Sequence, residues 1–450
     1  MKHLVTILYF LILNQALFAQ SLAGSWSGDL HVPSGKLKFV IHLEQIGAMW
    51  TAKADSPDQG VYSIPSRVHL YQPDSIVVEV QGGIKYSGKL KDKHSIVGHF
   101  QQKGYQTDLV LTNAPKETRV RSQRINPPYA YDTLSVKFPN HRDQILLSGT
   151  LTYPKKTGKF PAVVLVSGSG PQDRNSTVFG HETFKVLADY LTKNNIIVLR
   201  YDDRGVGASE GDFNTSTIAD FSQDALAALD FLKNDPRVDQ QQIGLIGHSE
   251  GGLIAELLAG QQFPSISFIV SLAGPAVAID ELMVQQLYKI GKVGGLDEKQ
   301  LAKGKEINKK NFSILKSDRS DQEAYRDLQE NMKGIPGYSA SLDNSVNQLL
   351  SPSFRYFMKI QPDRFLQKIN VPVFAAFGGL DVQVDADQNI FGLQTNLKRH
   401  KDHKIMEYPS LNHLFQTAST GAVDEYAKIE ETFSPQVMKD IVEWIHKITK

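Results

Sequence analysis

The pentapeptide Gly247-His248-Ser249-Glu250-Gly251 lies between two apolar runs, residues 242–246 and residues 252–259. The first run has the length of a buried strand and the second that of a helix, so the pentapeptide is predicted to be a strand-turn-helix connection. Glycines two residues before and after the serine permit a turn too tight for larger side chains. Ser249 is therefore the leading candidate for a nucleophile above a sheet, although the bare pattern also occurs in ordinary Gly-rich loops.

A serine nucleophile needs an imidazole to take its proton and a carboxylate to orient the imidazole. The carboxylate is expected after a later strand, and the apolar residues 371–377 end in Gly378-Gly379-Leu380-Asp381. Asp381 thus follows the carboxyl end of a predicted strand, where the active sites of doubly wound sheets are found. Asp385 is the alternative, but its position is more typical of a solvated loop carboxylate.

The histidine is expected after the last strand, which residues 403–408 resemble. His413 lies on the loop that follows and is the predicted general base. His400 and His403 belong to a basic run that is typical of a solvated surface. His248, inside the pentapeptide, is interpreted as shaping the turn.

An oxyanion intermediate would need backbone N–H donors, one from the residue after the nucleophile and one from a loop after an early strand. Glu250 supplies the first. The strand predicted at residues 160–166 runs into a loop of small residues, in which Ser169 is the leading second donor and Gly168 or Gly170 the alternative. This loop lacks the Gly-Lys-Ser/Thr ending of a phosphate-binding loop.

A further strand, residues 196–201, is followed by a second Gly-rich loop, residues 202–209. Its Asp203 and Arg204 are predicted to form a partly buried ion pair that holds this loop beside the oxyanion strand. We expect an architectural role for the pair, not a catalytic one.

The part of the chain from about residue 145 to the end resembles the α/β-hydrolase superfamily, in particular bacterial carboxylesterases related to dienelactone hydrolases. The segments most similar to that group are residues 167–174, 201–207 and 247–252. The resemblance implies a doubly wound, mostly parallel sheet, and hydrolysis of carboxylic esters through an acyl-enzyme with Ser249, Asp381 and His413 as triad. It also implies that an amino-terminal β-rich domain can precede the hydrolase.

Alternating short runs from residue 20 to 112 predict a small antiparallel β-domain of barrel type, in which Trp26 either fills the floor or lines a ligand cavity. The Pro-rich, basic residues 113–130 are predicted to be a linker, and residues 131–450 the hydrolase domain. Within it, residues 275–370 form amphipathic helical patterns and are predicted to be a cap insert over the active site, or else a surface excursion.

The chain begins with a basic start and a short apolar run that ends in Ala16-Leu17-Phe18-Ala19. We predict a signal peptide, residues 1–19, cleaved after Ala19 or Gln20, and therefore a soluble periplasmic or extracellular protein; an uncleaved anchor is the alternative. There is no cysteine to carry a lipid anchor. After cleavage we expect no stable membrane insertion.

Lys and Arg total 49 against 48 Asp and Glu, which predicts no nucleic-acid partner. No metal or other cofactor is expected, since His181-Glu182 lacks the second histidine of a zinc motif. The expected partner is a small-molecule ester substrate. Assembly into a homodimer is an alternative that the sequence does not decide.

The first functional hypothesis is a serine carboxylesterase acting on short acyl chains. A peptidase, amidase or acyltransferase on the same triad is the second, because triad geometry does not choose the leaving group. Serine peptidases of this fold typically have Tyr after the nucleophile, where this chain has Glu250. A binding protein on a hydrolase scaffold is the third.

Overall fold

The computed structural model describes residues 22–32, 35–46, 49–57, 61–72, 74–102, 104–113, 121–333, 346–347 and 349–450. The chain divides into two compact units, Met1–Val120 with Val178–Gly180, and Arg121–Thr177 with His181–Lys450. The predicted signal segment lies outside the described residues. Residues 121–130 of the predicted linker belong to the second unit, where Arg121 donates to the carbonyl of Ala427 and Gln123 to that of Phe433.

The first unit contains a closed antiparallel barrel in which each of eight strands pairs with the next. Pairing of Trp26 with Asn113 closes the barrel. The strands are β1 Gly24–Val32, β2 Gly35–Ile46, β3 Met49–Ser56, β4 Val61–Gln72, β5 Ser75–Val80, β6 Ile84–Asp92, β7 Ser95–Gln102 and β8 Tyr105–Asn113.

Large side chains fill the inside of the barrel. Trp26 is fully buried and donates its indole N–H to the carbonyl of Leu22 at 2.9 Å, so it belongs to the packed core and does not line a cavity. Tyr86 is also fully buried, and a Cβ at Gly88 or Gly98 would lie 2.8 Å from its ring. Glycine at these two positions therefore makes room for the tyrosine.

The second unit is built on an eight-stranded sheet with the order β18-β17-β16-β15-β11-β14-β10-β9. The six strands from β18 to β14 are parallel, while β10 pairs antiparallel with both β14 and β9. The strands of this sheet are β9 Asp132–Asn140, β10 Ile145–Tyr153, β11 Phe160–Val166, β14 Ile197–Tyr201, β15 Val238–His248, β16 Phe268–Leu272, β17 Val373–Gly378 and β18 Lys404–Tyr408. The short strands β12 Thr177–Val178 and β13 His181–Glu182 form a separate two-stranded sheet.

Helices connect the parallel strands. They are α1 Thr183–Lys193, α2 Ile218–Lys233, α3 Glu250–Gly260, α4 Ile279–Val293, α5 Glu298–Lys316, α6 Asp321–Met332, α7 Pro352–Met358, α8 Asp363–Leu366, α9 Ala386–Asn396, α10 Val423–Tyr426 and α11 Pro435–Ile448. The central strands β14, β16 and β17 are buried at every residue, as a sheet covered on both faces requires. The predicted fold class, an α/β-hydrolase sheet preceded by a small antiparallel β-domain, is confirmed.

The helices α4 to α8 lie in the chain between β16 and β17, within the predicted insert. Two of them begin with capping boxes, in which Asp297 and Ser320 accept hydrogen bonds from the third helical residue. Within the described residues, no helix is both long and apolar enough to cross a bilayer.

Candidate active site

Ser249 lies on a strained turn between the end of β15 and the start of α3. Its backbone has φ 56° and ψ −117°, a conformation that a residue with a side chain rarely adopts. The surrounding sheet holds it there, because the Ser249 N–H donates to the carbonyl of Leu272 at 2.8 Å. The turn therefore stores strain that the packed sheet offsets.

The two glycines of the pentapeptide are required by close backbone contacts. A Cβ at Gly247 would lie 1.9 Å from the carbonyl oxygen of Gly251, and a Cβ at Gly251 would lie 2.1 Å from that of Val166. Both distances are far inside van der Waals contact. The spacing read from the sequence thus has a steric cause in the fold.

The structure brings His413 and Asp381 together, although 32 residues separate them in the chain. The Nδ1 of His413 lies 2.7 Å from Oδ2 of Asp381, and both side chains are almost fully buried. The other oxygen of Asp381 accepts the backbone N–H groups of Gln383 and Val384 at 2.7 and 2.9 Å. The carboxylate is thereby fixed, and Nε2 is the ring nitrogen of His413 left for a proton transfer.

Asp385, the alternative acid, occupies a different place. Its Oδ1 accepts the N–H of Gln388 at the start of α9, and its Oδ2 forms an ion pair with Lys289 of α4. Asp385 therefore caps one helix and anchors another, and its hydrogen bonds are not directed to His413.

The sequence interpretation gave His248 only a role in the turn, whereas the structure links it to His413. Its Nε2–H donates to the backbone carbonyl of His413 at 2.8 Å, and the two rings lie 4.8 Å apart. Burial lowers the pKa of His248 to about 3, and repulsion by His413 acts in the same direction. A neutral His248 thus ties the nucleophile turn to the histidine loop, which no spacing rule in the sequence reveals.

The loop after β11 lies against Ser249. A Cβ at Gly168 would lie 3.3 Å from the Cβ of Ser249, and Ser169 and Gly170 line the same cavity as Ser249. In the described part of the chain, neither the Ser169 nor the Glu250 backbone N–H has a protein acceptor. Both predicted donors are thus unoccupied beside the cavity.

The predicted pairing of Asp203 with Arg204 is wrong. Asp203 accepts from the Ser167 hydroxyl at 2.6 Å and from the Gln172 N–H at 2.9 Å. Arg204 instead pairs with Asp224 at 2.7 Å. Asp203 does hold the oxyanion loop, but through direct hydrogen bonds to the loop, because adjacent residues leaving a strand point in different directions.

An ion pair between Arg174 and Asp202 also connects the loop after β11 to the loop after β14. Arg174 donates from Nε and Nη2 to the two oxygens of Asp202, at 2.9 and 2.6 Å. This two-point geometry orients the guanidinium and the loop together. The residues 202–209 singled out from the sequence are therefore architectural.

A cavity of about 510 Å³ lies above Ser249. The insert contributes one wall, with Met283 and Gln286 from α4 and Phe354 and Phe357 from α7. The helix α2 and the loop before it contribute another, where the stacked rings of Phe213 and Phe221 lie 5.0 Å apart. The size and apolar walls suit a small organic substrate.

Metal-ligating clusters are not found among the described residues. His181, considered from the sequence, uses Nδ1 for the Thr432 hydroxyl and Nε2 for the Tyr426 carbonyl, both at 2.9 Å. Its ring nitrogens are thus engaged in the packing of the second unit.

Comparison with known proteins identifies relatives of this chain. The family described as serine aminopeptidase, S33, matches residues 181–416. The esterase EstD of Thermotoga maritima is 30% identical over 307 residues, which are 67% of this chain and 66% of EstD. The dipeptidyl-peptidase 5 of Porphyromonas gingivalis is 23% identical over 61% of this chain and 34% of its own. The chain thus spans just under two thirds of the first relative and about a third of the second.

Among solved structures, an esterase of Pyrococcus furiosus covers 75% of this chain and 100% of its own, with 15% identity and a TM-score of 0.45.

Proposed function

Since this chain belongs to the serine aminopeptidase S33 family of α/β-hydrolases, we propose that it is a serine hydrolase that cleaves small carboxylic esters. The observation that carries the proposal is the buried contact between His413 and Asp381, on loops next to a strained Ser249. The name of the EstD relative supports an ester as substrate. The proposal assigns the nucleophile to Ser249, the general base to His413 and the orienting acid to Asp381.

In the proposed reaction, the Ser249 hydroxyl attacks the ester carbonyl and gives its proton to Nε2 of His413. The Ser169 and Glu250 N–H groups hold the oxyanion, since an amide without a protein acceptor can bind developing charge without rearrangement. The imidazolium then protonates the departing alcohol, which leaves an acyl-enzyme. Water, deprotonated by His413, hydrolyses the acyl-enzyme and restores Ser249.

The deciding experiment is fluorophosphonate labelling of the purified protein, with turnover of p-nitrophenyl acetate, butyrate and octanoate measured alongside. Label that is lost in Ser249→Ala, together with faster turnover of the shorter esters, supports the proposal. Absence of label on the wild-type protein would refute the triad and favour a ligand-binding protein on a hydrolase scaffold.

A peptidase is the second candidate, favoured by the family description and by the dipeptidyl-peptidase relative. Its reaction would use the same residues, but the leaving group would be the amine of a peptide bond and not the alcohol of an ester. Aminoacyl and dipeptidyl p-nitroanilides, tested beside the matching esters, separate the two: a kcat/KM for an anilide above that of its ester would favour the peptidase.

Export is part of the proposal. Residues 1–19 serve as a signal peptide that is removed after Ala19 or Gln20, which leads to a periplasmic or extracellular enzyme. Mass spectrometry of the mature amino terminus tests this, because a chain starting at Met1 or Lys2 would refute it. Size-exclusion chromatography with light scattering tests the homodimer.

A further inference from the structure

The cavity above Ser249 has an unusual charge distribution. Its walls are aromatic and aliphatic side chains with neutral amides and hydroxyls. Among the described residues that line it, Glu250 is the only one with a carboxyl group, and none has a cationic side chain. A substrate that enters therefore meets one potential charge, directly beside the nucleophile.

The Glu250 carboxyl is also unpaired within the described part of the chain, where neither a hydrogen bond nor an ion pair reaches it. Burial, together with a smaller repulsion by Asp203, raises the pKa of Glu250 to about 7. Glu250 is only partly buried and lines the cavity, so a ligand that enters the cavity can contact its carboxyl group.

Glu256, two turns along the same helix, provides the contrast. It is fully buried and its Oε1 accepts a hydrogen bond from the Ser271 hydroxyl at 2.7 Å, whereas its Oε2 has no partner in the described part of the chain. It is absent from the cavity lining. Glu256 is therefore part of the packing, whereas Glu250 is directed to whatever occupies the cavity.

We propose that Glu250 is a specificity-determining residue, which makes the site accept neutral and cationic acyl groups and exclude acyl groups that end in a carboxylate. This inference rests on the proposed function and names its substrate class. An anionic acyl group would have to lie near the Glu250 carboxylate with no lining cation to compensate, whereas an ammonium group or an N–H donor would supply the missing partner.

The other charged groups around Glu250 do not cancel its effect. Asp203, on the loop after β14, has the same sign as Glu250 when ionised, and burial raises its pKa to about 7 as well, but it is absent from the cavity lining, so an acyl group meets Glu250 first. Asp224 of α2 is neutralised by Arg204, and Asp381 is held by His413. In a site of low dielectric, an acyl group that ends in a carboxylate should bind beside the Glu250 carboxylate about tenfold or more weakly than a neutral acyl group.

The test compares p-nitrophenyl hexanoate, the p-nitrophenyl monoester of adipate and p-nitrophenyl 6-(trimethylammonio)hexanoate. These esters share chain length and leaving group and differ in charge at the far end. The kcat/KM ratios between esters are measured at pH 5.5 and 8.5 for wild type, Glu250→Gln and the control Glu256→Gln. Ratios between esters cancel any effect of pH that is common to all three esters.

For the wild type we expect the preference for hexanoate over adipate monoester to increase about tenfold from pH 5.5 to 8.5. Glu250→Gln should abolish this increase and reduce the preference for the cationic ester, while Glu256→Gln should retain both. Equal ratios in wild type and Glu250→Gln, or equal changes in the two variants, would overturn the inference.

Failure of the proposed function would look different, because no ester would then be turned over and Ser249 would not be labelled. In that case calorimetric titration of the three corresponding methyl esters into Ser249→Ala, with and without Glu250→Gln, decides the charge selection. An unchanged affinity ratio, or no binding of any of them, would overturn it.

Discussion

Each of the two units of this protein holds a histidine in contact with an aspartate and a serine close to them in the fold, yet only the serine of the second unit lies on a strained turn. In the barrel, the Ser25 hydroxyl lies 2.8 Å from Nδ1 of His42, whose Nε2 lies 2.6 Å from Asp55. In the second unit, His413 contacts Asp381 at 2.7 Å beside the Ser249 turn. The residue types and the histidine–aspartate distances are almost the same.

The backbone makes the difference. Ser25 lies in a regular strand, and its neighbours Trp26 and Ser27 pair with β2 on one side and β8 on the other. Ser249 lies on a turn with positive φ, at the start of a helix whose first N–H groups have no intrahelical partner. A strand ladder uses up its amides, whereas a strand-turn-helix connection leaves donors for an oxyanion. Three side chains in contact are therefore not sufficient for catalysis.

The largest expected effect comes from removing the two serines in turn. Ser249→Ala should lower kcat by about 10,000-fold or more, because it removes the attacking oxygen. Ser25→Ala should leave kcat within about twofold and the fluorophosphonate label intact. Label that persists in Ser249→Ala and disappears in Ser25→Ala would reverse the assignment of the two groups.

Two neighbouring aspartates sharpen the comparison within the second unit. Asp381→Asn should lower kcat by about 1,000-fold or more, since an amide beside His413 favours the wrong tautomer. Asp385→Asn should raise KM a fewfold and change kcat little, because Asp385 anchors the cap helix α4 through Lys289. Steady-state kinetics on p-nitrophenyl butyrate measures both, and equal losses in kcat would contradict the separate roles.

His248 is expected to have an intermediate effect as a positioning residue. His248→Leu removes the hydrogen bond to the His413 carbonyl and should lower kcat about 10- to 100-fold with little change in KM. His248→Gln can still donate an N–H and should recover most of the loss. If both variants lose the same activity and unfold at the same lower temperature, the role of His248 is structural alone.

The last expected effect concerns stability and pH and leaves kcat near neutral pH almost unchanged. Burial raises the pKa of Glu256 to about 8, so the folded state holds a proton that the unfolded chain releases near pH 4.5. The stability that this group contributes is thus complete below pH 4.5 and is lost as the pH rises towards 8. Glu256→Gln, which cannot ionise, should raise the free energy of unfolding by up to about 4 kcal/mol more at pH 8.5 than at pH 5.

Urea unfolding of wild type and Glu256→Gln at the two pH values measures this difference. Ser25→Ala serves as control, since it changes the barrel and should show no such pH dependence. A Glu256→Gln gain that is the same at both pH values would show that ionisation of Glu256 is not its cause.

The sequence by itself determined much of this protein. Local spacing was enough to predict the turn at Ser249, because close backbone contacts leave only glycine at Gly247 and Gly251. Strand alternation and helix periodicity predicted both sheets, since each element must bury one face or both. The choice of Asp381 over Asp385 also came from local position, namely the end of a buried strand.

The tertiary structure decided which side chains meet. It paired Asp203 with Ser167 and Gln172 and not with Arg204, and it placed His248 under the carbonyl of His413, 165 residues away. It also set the charge of the cavity, because Glu250 lines the cavity whereas Glu256 of the same helix is buried against Ser271. Spacing along a chain fixes backbone conformation locally, but contacts and burial depend on directions set by distant strands, so they follow only from the folded structure.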